Sequence, residues 1–407
     1  MTVSGLIYFD NSATTQVDPR VASAMQPFLG EVFGNPSSLH AAGREARAAV
    51  ERARQQTAAL FGAQPDEIIF TGSGTESNNL AVLGVIEALA DPGSHIITSA
   101  IEHPSVLQPC RLLALRGLKV TYLEPDEFGL IHPQNLRHAL RPTTRLVSIM
   151  SANNVVGTVQ AVNELAHIAH QAGAIFHTDA VQGAGKVPLN VNTAPIDLLS
   201  LSAHKLHGPK GVGALYMRNG VRLKPLVHGG GQERGLRSAT ENVAGIVGLG
   251  CAAEIAQKEM AAEASRLVQL RDQLIDTITG TSDNAYLIGH RYRRLPGHVC
   301  LGLAGQEGEA IKLVLALDEA GIAVSSGSAC SAHHSGEPSY VLRAMGFDLF
   351  RARGSLRLSL GRFNTKAEVE RFLDVFPSLT ASLRQITTRR SEPAPTEDLQ
   401  PTEQGYD

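Results

Sequence analysis

Between about residues 60 and 220, short runs of β-branched and apolar residues alternate with longer stretches whose apolar positions recur at helical spacing. That alternation is the pattern of βαβ units, and it predicts an α/β fold with a mostly parallel sheet covered by helices. The runs place strands at Glu67–Phe70, His95–Ser99, Lys119–Leu123, Leu146–Met150, Ala174–His177 and Asp197–Leu201. Between two of them, Val162, Leu165, Ala166 and Ile168 share one helical face, with Asn163 and Glu164 in the first turn. From about Ala244 to Thr279 good helix formers dominate and proline is absent, which predicts a long connector helix. A smaller α+β domain follows, to about residue 386. From Arg389 to Asp407 the chain is rich in Pro, Glu, Thr and Gln, and too poor in apolar residues to offset the entropy of ordering. It reads as a disordered tail.

Composition narrows the class. The 407 residues are 43% hydrophobic and 18% charged, enough for one large or two moderate cores. A net charge of -3 supplies no basic field for nucleic acid, and nothing marks a membrane-surface protein. Met1 to Asp10 hold one short apolar run, Leu6 to Phe9, so neither a leader nor a spanning segment is expected and the expected location is the cytoplasm. Four cysteines do not make a disulfide framework in a chain of this length.

Three constellations carry candidate chemistry. Thr71-Gly72-Ser73-Gly74-Thr75-Glu76-Ser77 lies between a strand and a helix. Backbone N–H groups at such a helix start match a phosphate, although a glycine turn with a Ser/Thr cap fits the segment equally well. Asp179 follows the apolar run ending at His177, at the carboxyl edge where open α/β sheets bind ligands; a solvated turn aspartate is the alternative. Lys205, in Ser202-Ala203-His204-Lys205-Leu206-His207-Gly208-Pro209, directly follows a strand at the same edge. Desolvation there favours the neutral amine that a Schiff base requires. A single lysine is usually a solvated surface charge, but three sites converging on one edge point to a cofactor.

The lysine segment resembles that of the cysteine desulfurases of the NifS/IscS kind, pyridoxal-phosphate enzymes related to class-V aminotransferases. Tyr8-Phe9-Asp10-Asn11-Ser12-Ala13-Thr14-Thr15, Phe33-Gly34-Asn35-Pro36-Ser37-Ser38, Glu102-His103, Asn153-Asn154, His228-Gly229-Gly230-Gly231-Gln232-Glu233, Ser325-Ser326-Gly327-Ser328-Ala329-Cys330 and Leu358-Ser359-Leu360-Gly361-Arg362-Phe363 appear in family order, so the likeness spans about residues 6 to 380. It implies the fold-type I architecture of such transferases, a large domain with a mainly parallel seven-stranded sheet and a smaller α+β C-terminal domain. The boundaries drawn from it are 1–15 for an N-terminal segment against the small domain, 16–255 for the large domain, 256–387 for the small domain and 388–407 for the tail.

By the same resemblance Lys205 carries pyridoxal 5'-phosphate and then moves the substrate Cα proton. Asp179 pairs with the pyridine nitrogen, Gln182 bonds the phenolic oxygen, and His103 stacks on the ring and handles a proton. Gly74, Thr75, Ser202 and His204 hold the phosphate, completed by Thr240 of a second subunit, which implies a homodimer. Asn154 and Arg357 receive the carboxylate of L-cysteine.

Cys330 ends a run of Ser, Gly and Ala that reads as an exposed mobile loop, suited to taking the substrate sulfur as a persulfide and delivering it to an acceptor protein. Cys110, Cys251 and Cys300 sit in apolar patterns and read as inert. His333-His334 depart from the family pattern and read as solvated, or as raising the thiolate fraction of Cys330 when protonated; with Cys330 they also offer a metal reading, and Cys330 is the expected contact with iron-sulfur clusters during transfer. A transaminase, a selenocysteine-preferring lyase and a non-enzymatic sulfur carrier are the rival readings. The acceptor, an iron-sulfur scaffold or a thiolation partner, is left open by the residues.

Overall fold

The structure is a computed structural model that describes residues 5–306, 309–327 and 338–391. Its strands are β1 (Ile7–Tyr8), β2 (Ile68–Thr71), β3 (His95–Ser99), β4 (Lys119–Leu123), β5 (Thr144–Ser148), β6 (Ile175–Asp179), β7 (Leu198–Ser202), β8 (Gly213–Met217), β9 (Ala285–Leu287), β10 (His298–Leu303), β11 (Ile322–Ala323), β12 (Ser325–Ser326) and β13 (Ser355–Ser359). Its α-helices are α1 (Pro19–Met25), α2 (Ala41–Ala59), α3 (Gly74–Leu89), α4 (Pro104–Leu115), α5 (Pro133–Ala139), α6 (Val162–Gln171), α7 (Val243–Thr281), α8 (Ala310–Glu319), α9 (Tyr340–Ala344) and α10 (Lys366–Ser391).

Seven strands form one sheet in the order β2-β8-β7-β6-β5-β3-β4. Only β8 runs against its neighbours, pairing antiparallel with both β2 and β7. β8 is absent from the six strands expected from the pattern, because Gly213-Ala-Leu-Tyr-Met has no β-branched residue and follows a glycine-proline turn. Expected strand ends shift by up to two residues; β5 closes at Ser148 rather than Met150, and β6 extends to include Asp179. Successive residues face opposite sides of the sheet. Phe70, Ile97, Val147, Phe176 and Leu199 enter one core, whereas Ile69, Ile96, Leu146, Leu198 and Leu215 enter the other. Both faces are therefore covered, as a parallel sheet requires.

α7 runs for 39 residues and belongs to two cores in turn. Ile246, Leu249 and Ala252 pack with the large-sheet core, and Leu267, Leu274, Ile275 and Ile278 with a second core around Val299, Leu301, Leu356, Leu358 and Phe372. The second core surrounds the antiparallel sheet β12-β13-β10-β9. Phe9 is fully buried in it, because β1 pairs in parallel with β11. The N-terminal segment thus reaches the large-sheet edge while anchored among residues some 300 positions later. α10 continues to Ser391, past the expected tail boundary at 388. Among the described residues no helix is long and apolar enough to cross a membrane.

One buried ion pair ties helix to sheet. Arg54 on α2 donates to both oxygens of Glu233, at 2.7 and 2.8 Å, and Glu233 also accepts the Phe70 N–H at 2.8 Å. Removing one partner of such a pair strands the other charge away from water. Glu233→Ala is expected to lower unfolding stability by about 3 kcal/mol, measured by denaturant titration against wild type. An unchanged denaturation midpoint would show that the pair contributes nothing.

Candidate active site

The carboxyl ends of β6 and β7 and the amino end of α3 open onto one cavity of about 650 Å³. Asp179 is the last residue of β6, and Lys205 closes a 3-10 turn, Ala203–Lys205, that follows β7. Gly74, Thr75, His103, Asn154, Asp179, Gln182, Ser202, His204, Lys205 and Arg357, ten of the twelve residues expected at the site, line this cavity. Thr240 does not line it and is exposed. Cys330 lies outside the described residues, as do His333 and His334.

At the phosphate end, Ser73 caps α3 by accepting the Glu76 N–H at 3.1 Å. A Cβ at Gly74 would lie 2.6 Å from Val181 Cγ2 and 3.3 Å from Ser202 Cβ, so glycine is what lets the helix start approach the β7 end. The resulting cradle joins helix N–H groups, the positive end of the helix dipole and the Ser202 hydroxyl, a donor set suited to a phosphate dianion. His204 Nδ1 lies 3.1 Å from Thr14 Oγ1, and burial, reinforced by the Lys205 charge, pulls its imidazole down to about 4. It is therefore neutral at pH 7.

Asp179 is held from two sides. Its Oδ1 accepts the Val181 N–H at 2.9 Å, and its Oδ2 accepts from Asn78 Nδ2 at 2.7 Å. The same Asn78 nitrogen donates to Ser105 Oγ at 2.8 Å, and Ser105 Oγ lies 2.7 Å from His103 Nδ1. His103 caps α4 by accepting the Ser105 N–H on Nδ1 at 3.1 Å. A backbone N–H can only donate, so the neutral ring carries its proton on Nε2. Burial pushes the His103 imidazole below its usual value; the nearby Asp179 carboxylate opposes this, and Lys205 adds to it. Beneath this network Glu102 is fully buried. It accepts from Ser99 Oγ at 2.6 Å and from the Met150 N–H at 2.8 Å, and burial raises its carboxyl to about 8.

Lys205 Nζ donates to the backbone carbonyls of Ser12 and Ala13, at 2.5 and 2.6 Å. Arg357 is almost fully buried on β13, with Nη1 3.1 Å from the Asn154 carbonyl and Nη2 2.8 Å from Asp10 Oδ1. Among the described residues its buried Nε has no hydrogen-bond partner. An unsatisfied guanidinium N–H is costly and suits a site that receives a carboxylate. The residues present thus fit pyridoxal phosphate in their chemistry. A lysine sits opposite a fixed carboxylate, with a glycine-led helix start at one end and an arginine at the other.

Sequence reasoning missed four participants. Asn78, which ties Asp179 to Ser105 and His103, stands one turn after Gly74 on α3, and that spacing was the available signal. Asp10 and the Ser12 carbonyl come from the N-terminal segment, whose place beside the cavity follows from strand pairing. Ser105 is visible only once α4 is folded.

The aminotransferase class-V family profile matches residues 7–372. The chain is 49% identical to "Cysteine desulfurase IscS" of Dictyoglomus turgidum, over 95% of this chain and 97% of that one. It is 50% identical to "Cysteine desulfurase" of Gluconacetobacter diazotrophicus, over 94% and 95% of the two chains. Among solved structures, a "NIFS-LIKE PROTEIN" superposes with a TM-score of 0.86 at 40% identity, covering 93% of this chain and 100% of that one.

Proposed function

Because the chain belongs to the aminotransferase class-V family and, within it, to the cysteine desulfurases, we propose which of its residues carry out the release of sulfur from L-cysteine. The enzyme is pyridoxal-phosphate dependent, and the bound group supplies the sink for electrons freed at the substrate Cα. The observation that carries the residue assignment is the pairing of Lys205 with the Asn78-held Asp179 across one cavity that ends at the α3 start.

Lys205 would anchor the cofactor, and its amine when free would move the proton at the substrate Cα. Asp179, fixed by Asn78 and the Val181 N–H, keeps the pyridine nitrogen protonated. Gln182 donates to the phenolic oxygen. His103, neutral with its proton on Nε2 at the cavity wall, would face the cofactor and exchange a proton with substrate. Gly74, Thr75, Ser202 and His204 hold the phosphate. Arg357 and Asn154 bind the substrate carboxylate.

The Cys330 thiolate attacks the substrate sulfur. A sulfur–sulfur bond forms as the carbon–sulfur bond breaks, and the electron pair stays with the three-carbon fragment, which leaves after protonation as L-alanine. The chain on either side of Cys330 supports this role. Ser325 lines the cavity, and the Tyr340 hydroxyl donates to the Glu102 carbonyl at 2.7 Å, next to His103. Cys330 is three residues from Gly327, within roughly 11 Å of its Cα at full extension.

A homodimer completes the phosphate site with Thr240 of the second copy. In favour of this, Thr240 is exposed and away from its own cavity, and Phe33 and Leu39, 81% and 91% exposed, are large apolar side chains that a second copy would cover. The persulfide sulfur passes to an acceptor protein, an iron-sulfur scaffold or a thiolation partner, with Cys330 as the contact.

Arg357→Gln tests the carboxylate assignment. Loss of a charged two-pronged contact is worth roughly 3 kcal/mol, so KM for L-cysteine should rise by about 100-fold while the cofactor's visible band is unchanged. An unchanged KM in steady-state assays would remove Arg357 from the substrate site.

A further inference from the structure

Lys186 has no place in the chemistry described above, yet it stands directly behind it. Residues after Asp179 form a tight turn in which Val187 N bonds Gly183 O at 3.0 Å. The turn is possible because two positions are glycine. A Cβ at Gly183 would lie 2.5 Å from Ser151 Oγ, and Gly185, at φ +67°, would place a Cβ 2.6 Å from Leu206 Cδ2. The turn brings Lys186 to the wall of a second, narrower cavity among Met260, Leu267, Leu295 and Leu360, and returns its amine to the residue four positions earlier.

Lys186 Nζ donates to Gln182 Oε1 at 3.3 Å, and Gln182 Nε2 donates to the Ser12 carbonyl at 3.0 Å. That same carbonyl accepts Lys205 Nζ. The order of donors and acceptors along this chain admits one orientation of the amide. If the Gln182 amide were reversed, its NH₂ would face an amine donor and its oxygen would face a carbonyl oxygen, two unfavourable contacts in place of two hydrogen bonds. We propose that Lys186 is a positioning residue: it fixes the Gln182 amide with its N–H end toward the cofactor and places a second amine charge behind Lys205. The inference rests on the assignments of Gln182 and Lys205 made above.

The charge effect has a definite sign. Burial, then the Lys205 charge, pulls the Lys186 amine down to about 7, with Glu263 opposing. The other titratable or charged groups around it are His204, His207, His298 and Arg362, and the three imidazoles are all held below their usual values, by burial first. In its protonated form, which prevails below about pH 7, Lys186 disfavours the positive form of the Lys205 nitrogen beside it. An N–H aimed at the phenolic oxygen stabilises negative charge there and acts in the same direction. Removing Lys186 therefore raises the pH at which the bound cofactor's visible absorption changes.

The test is a pH titration of that band on the full-length protein loaded with pyridoxal phosphate, in wild type, Lys186→Met, Lys186→Arg and Gln182→Ala. Lys186→Met is expected to move the midpoint up by about half to one pH unit, and Lys186→Arg, which keeps charge and donor, to return it close to wild type. A midpoint unchanged in Lys186→Met but raised in Gln182→Ala overturns the role of Lys186 and leaves that of Gln182 standing; a midpoint unmoved in both overturns the two together. Should Lys186→Met not fold, Lys186→Gln replaces it. A raised midpoint there supports the proposal and a wild-type midpoint overturns it.

Discussion

Cys330→Ala is expected to stop sulfur from reaching the protein while leaving the cofactor's spectral response to cysteine intact. The reason lies in which bonds each residue touches. In the proposed assignment, binding of the substrate amine and movement of the Cα proton fall to Lys205, Asp179 and His103 on the cavity wall, whereas breaking the carbon–sulfur bond needs a nucleophile to take the sulfur. Alanine formation should fall on the order of 10³-fold, and cysteine labelled with radioactive sulfur should leave no label on the protein. The absorption change on adding cysteine should persist. Release of alanine and sulfide at the wild-type rate would show that Cys330 does not take the sulfur, and it would favour a lyase that discharges sulfide directly. Cys110 and Cys300 are poor substitutes, since burial raises their thiols to about 12 and about 11.

Lys205→Ala removes the proposed covalent anchor and the proposed acid/base together. It should abolish the band of the lysine-bound cofactor and lower kcat by at least about 10³-fold, with partial rescue of turnover by a small external amine. The residues proposed to hold the phosphate, Gly74, Ser202 and His204, remain, so the variant should still retain pyridoxal phosphate on gel filtration. Retained turnover without added amine would sink the assignment of Lys205. A colourless wild-type protein that pyridoxal phosphate cannot restore would sink the whole cofactor site.

Much of this was legible in the chain because the large sheet is built from local alternation. β3 and β4 fall where periodicity places them, and α6 and α7 follow directly from apolar spacing and the absence of proline. Asp179, Lys205 and Gly74 could be read as one site because strand ends of a parallel sheet share an edge. What escaped was non-local. β8, Gly213-Ala-Leu-Tyr-Met, has no β-branched residue to mark it as a strand, and its antiparallel pairing with both β2 and β7 is a non-local feature. Asn78 looks like any polar helix residue until α4 brings Ser105 to its amide.

The sequence by itself determined the reaction class through its likeness to a known family, and it singled out Asp179 and Lys205 as candidate cofactor residues because both stand at the ends of locally encoded strands. The tertiary structure decided how the site is held. The pairing of β1 with β11 and of Asp10 with Ser359 carries the N-terminal segment to Lys205 and Arg357, across more than 300 residues of chain. The proton on His103 Nε2, the two-sided grip on Asp179 and the amide orientation of Gln182 likewise exist only in the fold. Each is a choice between donor and acceptor, and such a choice is made by the neighbour a side chain meets, which periodicity along the chain does not encode.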